Sequence, residues 1–220
     1  MSARTTLHFI RHGDAIPEPG HAFDPDSGYD VLGLSRKGRA QAEALAQRLV
    51  ATVELAAVYA SPTLRAKETA ETVARAAGLA VRFDPRVREV YLGDESVAHV
   101  APEERARVVR ERLQMLAEIA LRDGSWGAVP EVEPGAQVRA RMGAAVDDIL
   151  AAHPGGHVAI VSHAGSINAY FAALLGISRD FFFPIGNTSL NSVRVANGNV
   201  LLLRLNDTAH LERGPAAQRD

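Results

Sequence analysis

Leu7-His8-Phe9-Ile10-Arg11-His12-Gly13 decides how the rest of the chain is read: a short apolar run that stops in an arginine, a histidine and a glycine. A strand ending this way sets a guanidinium and an imidazole at the tip of a sheet. The glycine lets the backbone turn tightly and approach a ligand closely. A fixed cation beside an imidazole suits attack on an anionic phosphoryl group, because the cation holds the phosphate while the ring supplies the nucleophile. Taken alone, a histidine at a strand end is more often structural. The same layout recurs far downstream at Val161-Ser162-His163-Ala164-Gly165, and the recurrence gives the first stretch its weight.

Outward from this strand, residues 6–11, the chain alternates strand and helix. That pattern predicts a three-layer α/β/α fold: a mainly parallel central sheet with helices on both faces and a helical insertion. A long loop from Gly13 to Gly33, with Pro17, Pro19, Gly20 and Pro25, has the length of a functional or mobile segment. Ser35 is placed as the N-cap of a helix on which Ala42, Leu45, Ala46, Leu49 and Val50 fall at helical spacing. Residues 55–60 read as the second strand, and Ser61-Pro62 as an N-cap followed by proline at the first helical position. The helix that follows carries Arg65, Thr69, Thr72 and Val73 and stops at Gly78, ahead of a short strand near 80–83.

Residues 94–134 break the rhythm and are read as a helical cap or lid within a single domain spanning 1–220. One amphipathic helix over 102–121 sets Val109, Leu113, Leu116 and Ala120 on one face. Its Arg105, Arg107, Arg110 and Arg112 alternate with Glu103, Glu104 and Glu111, the pattern of a solvated, salt-bridged face. Helices near 136–152 and 166–175 flank a core strand at 157–162. Asn197-Gly198, between runs at 190–195 and 200–205, predicts a hairpin, since both residues tolerate the positive φ of a tight turn. Residues beyond Leu211 read as a disordered tail.

Composition narrows the function classes. The 220 residues carry 24 Lys and Arg against 26 Asp and Glu, a net charge of -2 that gives no reason to expect nucleic acid or a membrane surface as a partner. With no cysteine, disulfides, thiolate catalysis and zinc–thiolate sites are excluded. No apolar run is long enough to span a bilayer, and Met1 to Thr6 lead into the first strand without room for a signal peptide, so a cytoplasmic enzyme is expected. No cofactor or metal is expected. Pro154-Gly155-Gly156 keeps His153 and His157 off a shared helical face, which argues against a metal pair. His8 reads as a sheet residue and His210 as structural, and His21 and His99 lie where they could touch substrate, with a structural place favoured for both.

Arg11-His12, Ser61 with Arg65, and Ser162-His163 each follow a predicted strand. In an open parallel sheet the strand C-termini share one edge, and ligands bind in the crevice there. Residues distant in sequence therefore converge. They also carry a family resemblance. Arg11-His12-Gly13, Ser61-Pro62-Thr63-Leu64-Arg65-Ala66, Arg88-Glu89 followed by Gly93, and Val161-Ser162-His163-Ala164-Gly165 occur in the order seen in the histidine phosphatase superfamily, in its phosphoglycerate mutase-like branch. Leu34-Ser35-Arg36-Lys37-Gly38 with Gln41-Ala42, and Asn206-Asp207-Thr208-Ala209-His210-Leu211, are similar to that branch too.

The resemblance implies that His12 attacks phosphorus in line to form a phosphohistidine. It implies that Arg11, Arg65 and His163 surround the transferring oxygens. It implies too that Glu89 protonates the leaving oxygen and later activates water, with Asp14 and Asp94 as rival acids. The implied activity is metal-independent hydrolysis of phosphomonoesters, with a small phosphorylated metabolite as substrate. A phosphoglycerate-type mutase, a protein phosphohistidine phosphatase and a non-catalytic phosphate-binding domain are the alternatives, and the exposed edge of the terminal hairpin offers a homodimer contact. The departures bear on substrate. Ala15 and Glu18 stand where mutases and many sugar-phosphate phosphatases of the branch place a hydroxyl residue and an asparagine. Asp94-Glu95-Ser96 replaces a frequent Asp-Trp-Glu-Gly, and Gly135-Ala136-Gln137 a frequent Gly-Glu-Ser. The opening Arg11-His12-Gly13-Asp14-Ala15 resembles the protein phosphohistidine phosphatases, which tend to be shorter and lack the inserted helical segment.

Overall fold

The computed structural model describes residues 4–15, 32–91, 102–127, 129 and 132–212. In chain order its elements are β1 (Thr5–Arg11), α1 (Arg36–Thr52), β2 (Leu55–Ala60), α2 (Leu64–Ala77), β3 (Val81–Phe83), α3 (Pro102–Asp123), α4 (Gly135–Ala152), β4 (His157–Ser162), α5 (Ala164–Leu174), β5 (Leu190–Ala196) and β6 (Asn199–Asp207). The strands form one sheet in the order β3-β2-β4-β1-β5-β6. Neighbours from β3 to β1 run parallel, while β5 pairs antiparallel with β1 and with β6. The sheet is therefore mixed, with a parallel heart.

Side chains alternate across this sheet and build a core on each face. Leu7, Phe9, Val158 and Ile160 pack with Met142, Ile149 and Phe171 from α4 and α5. Ile10, Ala159 and Val161 pack with Leu45, Leu49, Ala70 and Val73 from α1 and α2. Burial on both faces explains why β1 and β4 read as near-continuous apolar runs.

Local signals set most boundaries. Ser35 caps α1, its Oγ accepting from the Gly38 amide at 3.0 Å, and α2 ends at Gly78 with φ +68°. Asn197 and Gly198 turn the β5–β6 hairpin at φ +53° and +73°. One boundary differs from expectation: α2 begins at Leu64 after Thr63, two residues beyond the Ser61-Pro62 start. Ser61 Oγ is shared: it accepts from the Thr63 amide at 3.4 Å and lies closer, at 2.9 Å, to His163 Nε2. α5 begins at Ala164, directly after His163. On α3, Arg107 bonds Glu104 and Glu111, as the solvated-face reading requires. The side chains of the Val109, Leu113, Leu116 and Ala120 stripe lie outside the described residues, as do Glu18, His21, Gly93, Asp94, His99 and the tail beyond Glu212.

Candidate active site

The register between β1 and β4 pairs Arg11 with Ser162, so His12 and His163 are the next residues on adjacent strands. The His12 amide continues the ladder by donating to the Ser162 carbonyl at 3.0 Å. The two imidazoles meet with centroids 5.0 Å apart and planes at 60°.

His12 is 8% exposed. Its Nδ1 lies 2.7 Å from the Gly13 carbonyl, which can only accept, so the ring proton belongs on Nδ1. Nε2 keeps its lone pair and faces Arg65 Nε at 3.3 Å. Burial first, then the charges of Arg65 and Arg11, hold this imidazole well below its usual protonation range, opposed in part by the Gly13 bond. The ring is neutral at neutral pH, as a nucleophile requires.

His163 is fully buried, with Nε2 beside Ser61 Oγ at 2.9 Å and Thr63 Oγ1 at 3.4 Å. It too is held well below the ordinary range, by burial and then by Arg65, His12, Arg11 and Arg141. Arg11 donates from Nη1 to the Ile185 carbonyl at 2.6 Å. Burial lowers its pKa, Glu89 and Asp14 oppose that, and Arg65 adds like-charge repulsion. Among the described residues, two buried side-chain atoms find no hydrogen-bond partner: Arg11 Nε and His163 Nδ1.

Arg65 sits in the first turn of α2, and Thr69 follows one turn later. Thr69 Oγ1 donates to the Arg65 carbonyl at 2.8 Å and accepts from the Gly13 amide at 3.0 Å, tying the Arg-His-Gly turn to α2. Gly13 is required by space: a Cβ there would lie 2.6 Å from the Gly38 carbonyl oxygen.

Glu89 follows the 3-10 turn Pro85–Val87. Its carboxylate accepts from the amides of Val90 at 2.9 Å, Ser166 at 3.1 Å and Gly165 at 3.5 Å, the last two in the first turn of α5. Neither nearby arginine pairs with this carboxylate. Arg86 bonds Asp84 and Asp148, and Arg88 lies 3.4 Å from Glu133. A Cβ on Gly165 would fall 2.7 Å from Val90 Cγ2 and 2.8 Å from Glu89 Oε1, so a side chain there would crowd both. Asp14, the rival acid, accepts from Ser35 Oγ at 2.6 Å.

Sequence reasoning missed the loop after α5. Asn187 Nδ2 donates to the His12 carbonyl at 3.1 Å, and the Thr188 amide donates to that of Arg11 at 2.9 Å. Thr188 holds φ +56°, rare for a β-branched residue. Its Oγ1 lies 3.0 Å from His210 Nε2, which gives His210 the structural place expected of it. No periodicity marks this loop. Among the described residues, the remaining histidines pair elsewhere: His8 with Ser192 and His157, and His153 with Tyr59. Among the described residues, no three His, Asp or Glu side chains converge as a metal site, and no helix is long and apolar enough to cross a membrane.

The chain that carries this sheet edge is similar to known proteins in sequence and in fold. Residues 7–208 match the model of the histidine phosphatase superfamily, branch 1, and the chain belongs to that superfamily. It is similar to the probable phosphoglycerate mutase GpmB of Yersinia enterocolitica, 30% identical over 217 residues that cover 94% of each chain. Among solved structures it resembles YhfR of Bacillus stearothermophilus, with a TM-score of 0.75 and 29% identity over 94% of this chain and 100% of that one. It also resembles a mycobacterial glucosyl-3-phosphoglycerate phosphatase in complex with inorganic phosphate, with a TM-score of 0.70 and 26% identity over 96% of this chain and 100% of that one.

Proposed function

We propose that the protein is a phosphatase that hydrolyses the phosphomonoester of a small metabolite through a phosphohistidine on His12. The observation that carries this reading is the pair of buried, unpartnered atoms, Arg11 Nε and His163 Nδ1, on side chains that flank His12. A buried polar atom without a partner costs about 1–3 kcal/mol. Phosphoryl oxygens supply an acceptor to each. They also relieve the repulsion between Arg11 and Arg65.

In this reading His12 Nε2 attacks phosphorus in line and forms the N–P bond as the P–O ester bond breaks. The leaving oxygen keeps the electron pair of the broken P–O bond and takes a proton from Glu89. Water then attacks the phosphohistidine, Glu89 accepts the proton, and the N–P electron pair returns to His12. Arg11, Arg65 and His163 offset the charge on the transferring oxygens, a role preorganised donors fill without reorganisation. The scheme needs no metal. It is tested by phosphate release from p-nitrophenyl phosphate and a panel of phosphate esters in EDTA, with wild type beside His12→Ala. Release by wild type alone supports the reading, and release by both overturns it.

A phosphoglycerate-type mutase is the second reading, favoured by the likeness to GpmB. Ala15 and Glu18 speak against it, since they depart from the mutase pattern. Interconversion of phosphoglycerate isomers without net phosphate release would decide for it.

A further inference from the structure

We infer that Arg141 is a positioning residue for proton transfer, acting through Glu89 without touching substrate. The inference rests on the reading of Glu89 as the acid and base of the reaction.

Arg141 projects from α4, its side chain only 13% exposed. Nη1 donates to the carbonyls of Arg86 at 2.7 Å and Arg88 at 2.8 Å. Nη2 donates to the Glu89 carbonyl at 3.0 Å, to Glu133 Oε2 at 2.9 Å and to Ser166 Oγ at 3.3 Å. Nε donates to Glu133 Oε1 at 2.8 Å. Ser166 closes the circuit: its hydroxyl donates to the Arg88 carbonyl at 2.6 Å, and its amide donates to Glu89 Oε1 at 3.1 Å. One guanidinium thus holds the main chain of Glu89 and the residue whose amide holds its carboxylate.

Only the rigid, multi-donor fork of arginine spans these carbonyls and a carboxylate together; an ammonium keeps the charge but not the fork. Glu133 is its counterion. Burial alone would raise that carboxyl, but the Arg141 bonds, the Tyr91 amide and the charges of Arg141 and Arg88 prevail and keep it ionised. A proton donor works only within hydrogen-bond reach of the leaving oxygen, so loosening this hub moves Glu89 out of reach while leaving the nucleophile and phosphate donors in place.

The test is kcat/KM on two esters, p-nitrophenyl phosphate, whose leaving group needs little protonation, and glycerol 2-phosphate, whose alkoxide needs it. Wild type, Glu89→Gln, Arg141→Lys and Ser166→Ala are compared, with thermal melts confirming that each variant is folded. General acids contribute about 10²–10⁴-fold, so Glu89→Gln should lose that much on the alkyl ester and far less on the aryl one. Arg141→Lys should show the same selectivity, about 10-fold or more on the alkyl ester and under about 3-fold on the aryl one, with Ser166→Ala in the same direction. Equal losses on both esters, the signature of a merely structural role, would overturn the inference, as would no loss. If Glu89→Gln is unselective, the acid–base reading fails and takes this inference with it. If Glu89→Gln alone is selective, only the inference fails.

Discussion

His12 Nε2 and Arg65 Nε lie 3.3 Å apart, so the lone pair assigned to nucleophilic attack accepts from a guanidinium assigned to hold the phosphate. One contact then does two things. The Arg65 charge helps keep the ring unprotonated, second only to burial. In the proposed reaction, an arriving phosphoryl oxygen would compete for the same N–H and uncover Nε2 as phosphorus comes within reach.

Arg65→Lys separates charge from geometry, because it keeps a cation but loses the planar fork. Removing one preorganised donor typically costs about 10²–10³-fold in turnover, and kcat/KM on p-nitrophenyl phosphate should fall by about that much. A fall under about 2-fold would show that charge alone suffices there.

The depressed basicity of His12 sets a pH signature. An unperturbed imidazole gains its proton as pH falls through about 6.5, whereas His12 should stay neutral to lower pH. In NMR spectra of ring-labelled protein, its signals should remain those of the Nδ1–H tautomer at pH 6 while exposed imidazoles titrate. A His12 that titrates at the ordinary value would contradict the assigned environment.

His8 gives a stability prediction with a definite sign. Burial, then His157 and Arg204, lower its pKa from 6.5 to about 4. Between those values the unfolded chain binds a proton that the folded chain does not, so stability is full above pH 6.5 and falls as pH drops toward 4. At about 1.4 kcal/mol for each tenfold change in proton affinity, the ceiling is about 3.5 kcal/mol. His12 and His163 act in the same direction. His8→Asn should therefore lose less stability than wild type between pH 7 and pH 4.5 in urea melts, and equal acid sensitivity would refute the assignment.

Gly13 and Gly38 form a close backbone contact between the Arg-His-Gly turn and the start of α1. A Cβ at Gly38 would drive into the Asp14 carbonyl, and backbone on both sides leaves nothing flexible to give way. Gly38→Ala should cost stability and activity together, read as a lower melting temperature and a lower kcat/KM. An active, fully stable variant would show that the contact is dispensable.

What is legible in the sequence follows from where the chain obeys a simple rule. The strands before His12 and His163 read correctly because a strand buried on both faces is a short apolar run with turn residues behind it. Asn197-Gly198 marks the hairpin because few other pairs accept two positive φ angles. Ser61-Pro62 misplaces the start by two residues because serine before proline is a good cap signal, and nothing local reveals that the hydroxyl also faces a histidine a hundred residues away. The partner of Glu89 is hidden for a related reason, since neighbouring arginines suggest ion pairs while the carboxylate is held by amides of α5. Arg141 leaves a trace: it falls one turn after Val138, on the buried side of α4, where an unpaired cation is not tolerated. Asn187 and Thr188 leave none, lying in a segment without period.

The most direct test of the account is the covalent intermediate itself. Wild-type protein is mixed rapidly with a phosphate ester labelled at phosphorus and quenched in alkali, where a phosphohistidine survives and acid destroys it. The account predicts label on the peptide that contains His12, stable to alkali and lost in acid, and absent from His12→Ala. Turnover by wild type with no such label at any mixing time, or undiminished label and turnover in His12→Ala, would contradict it.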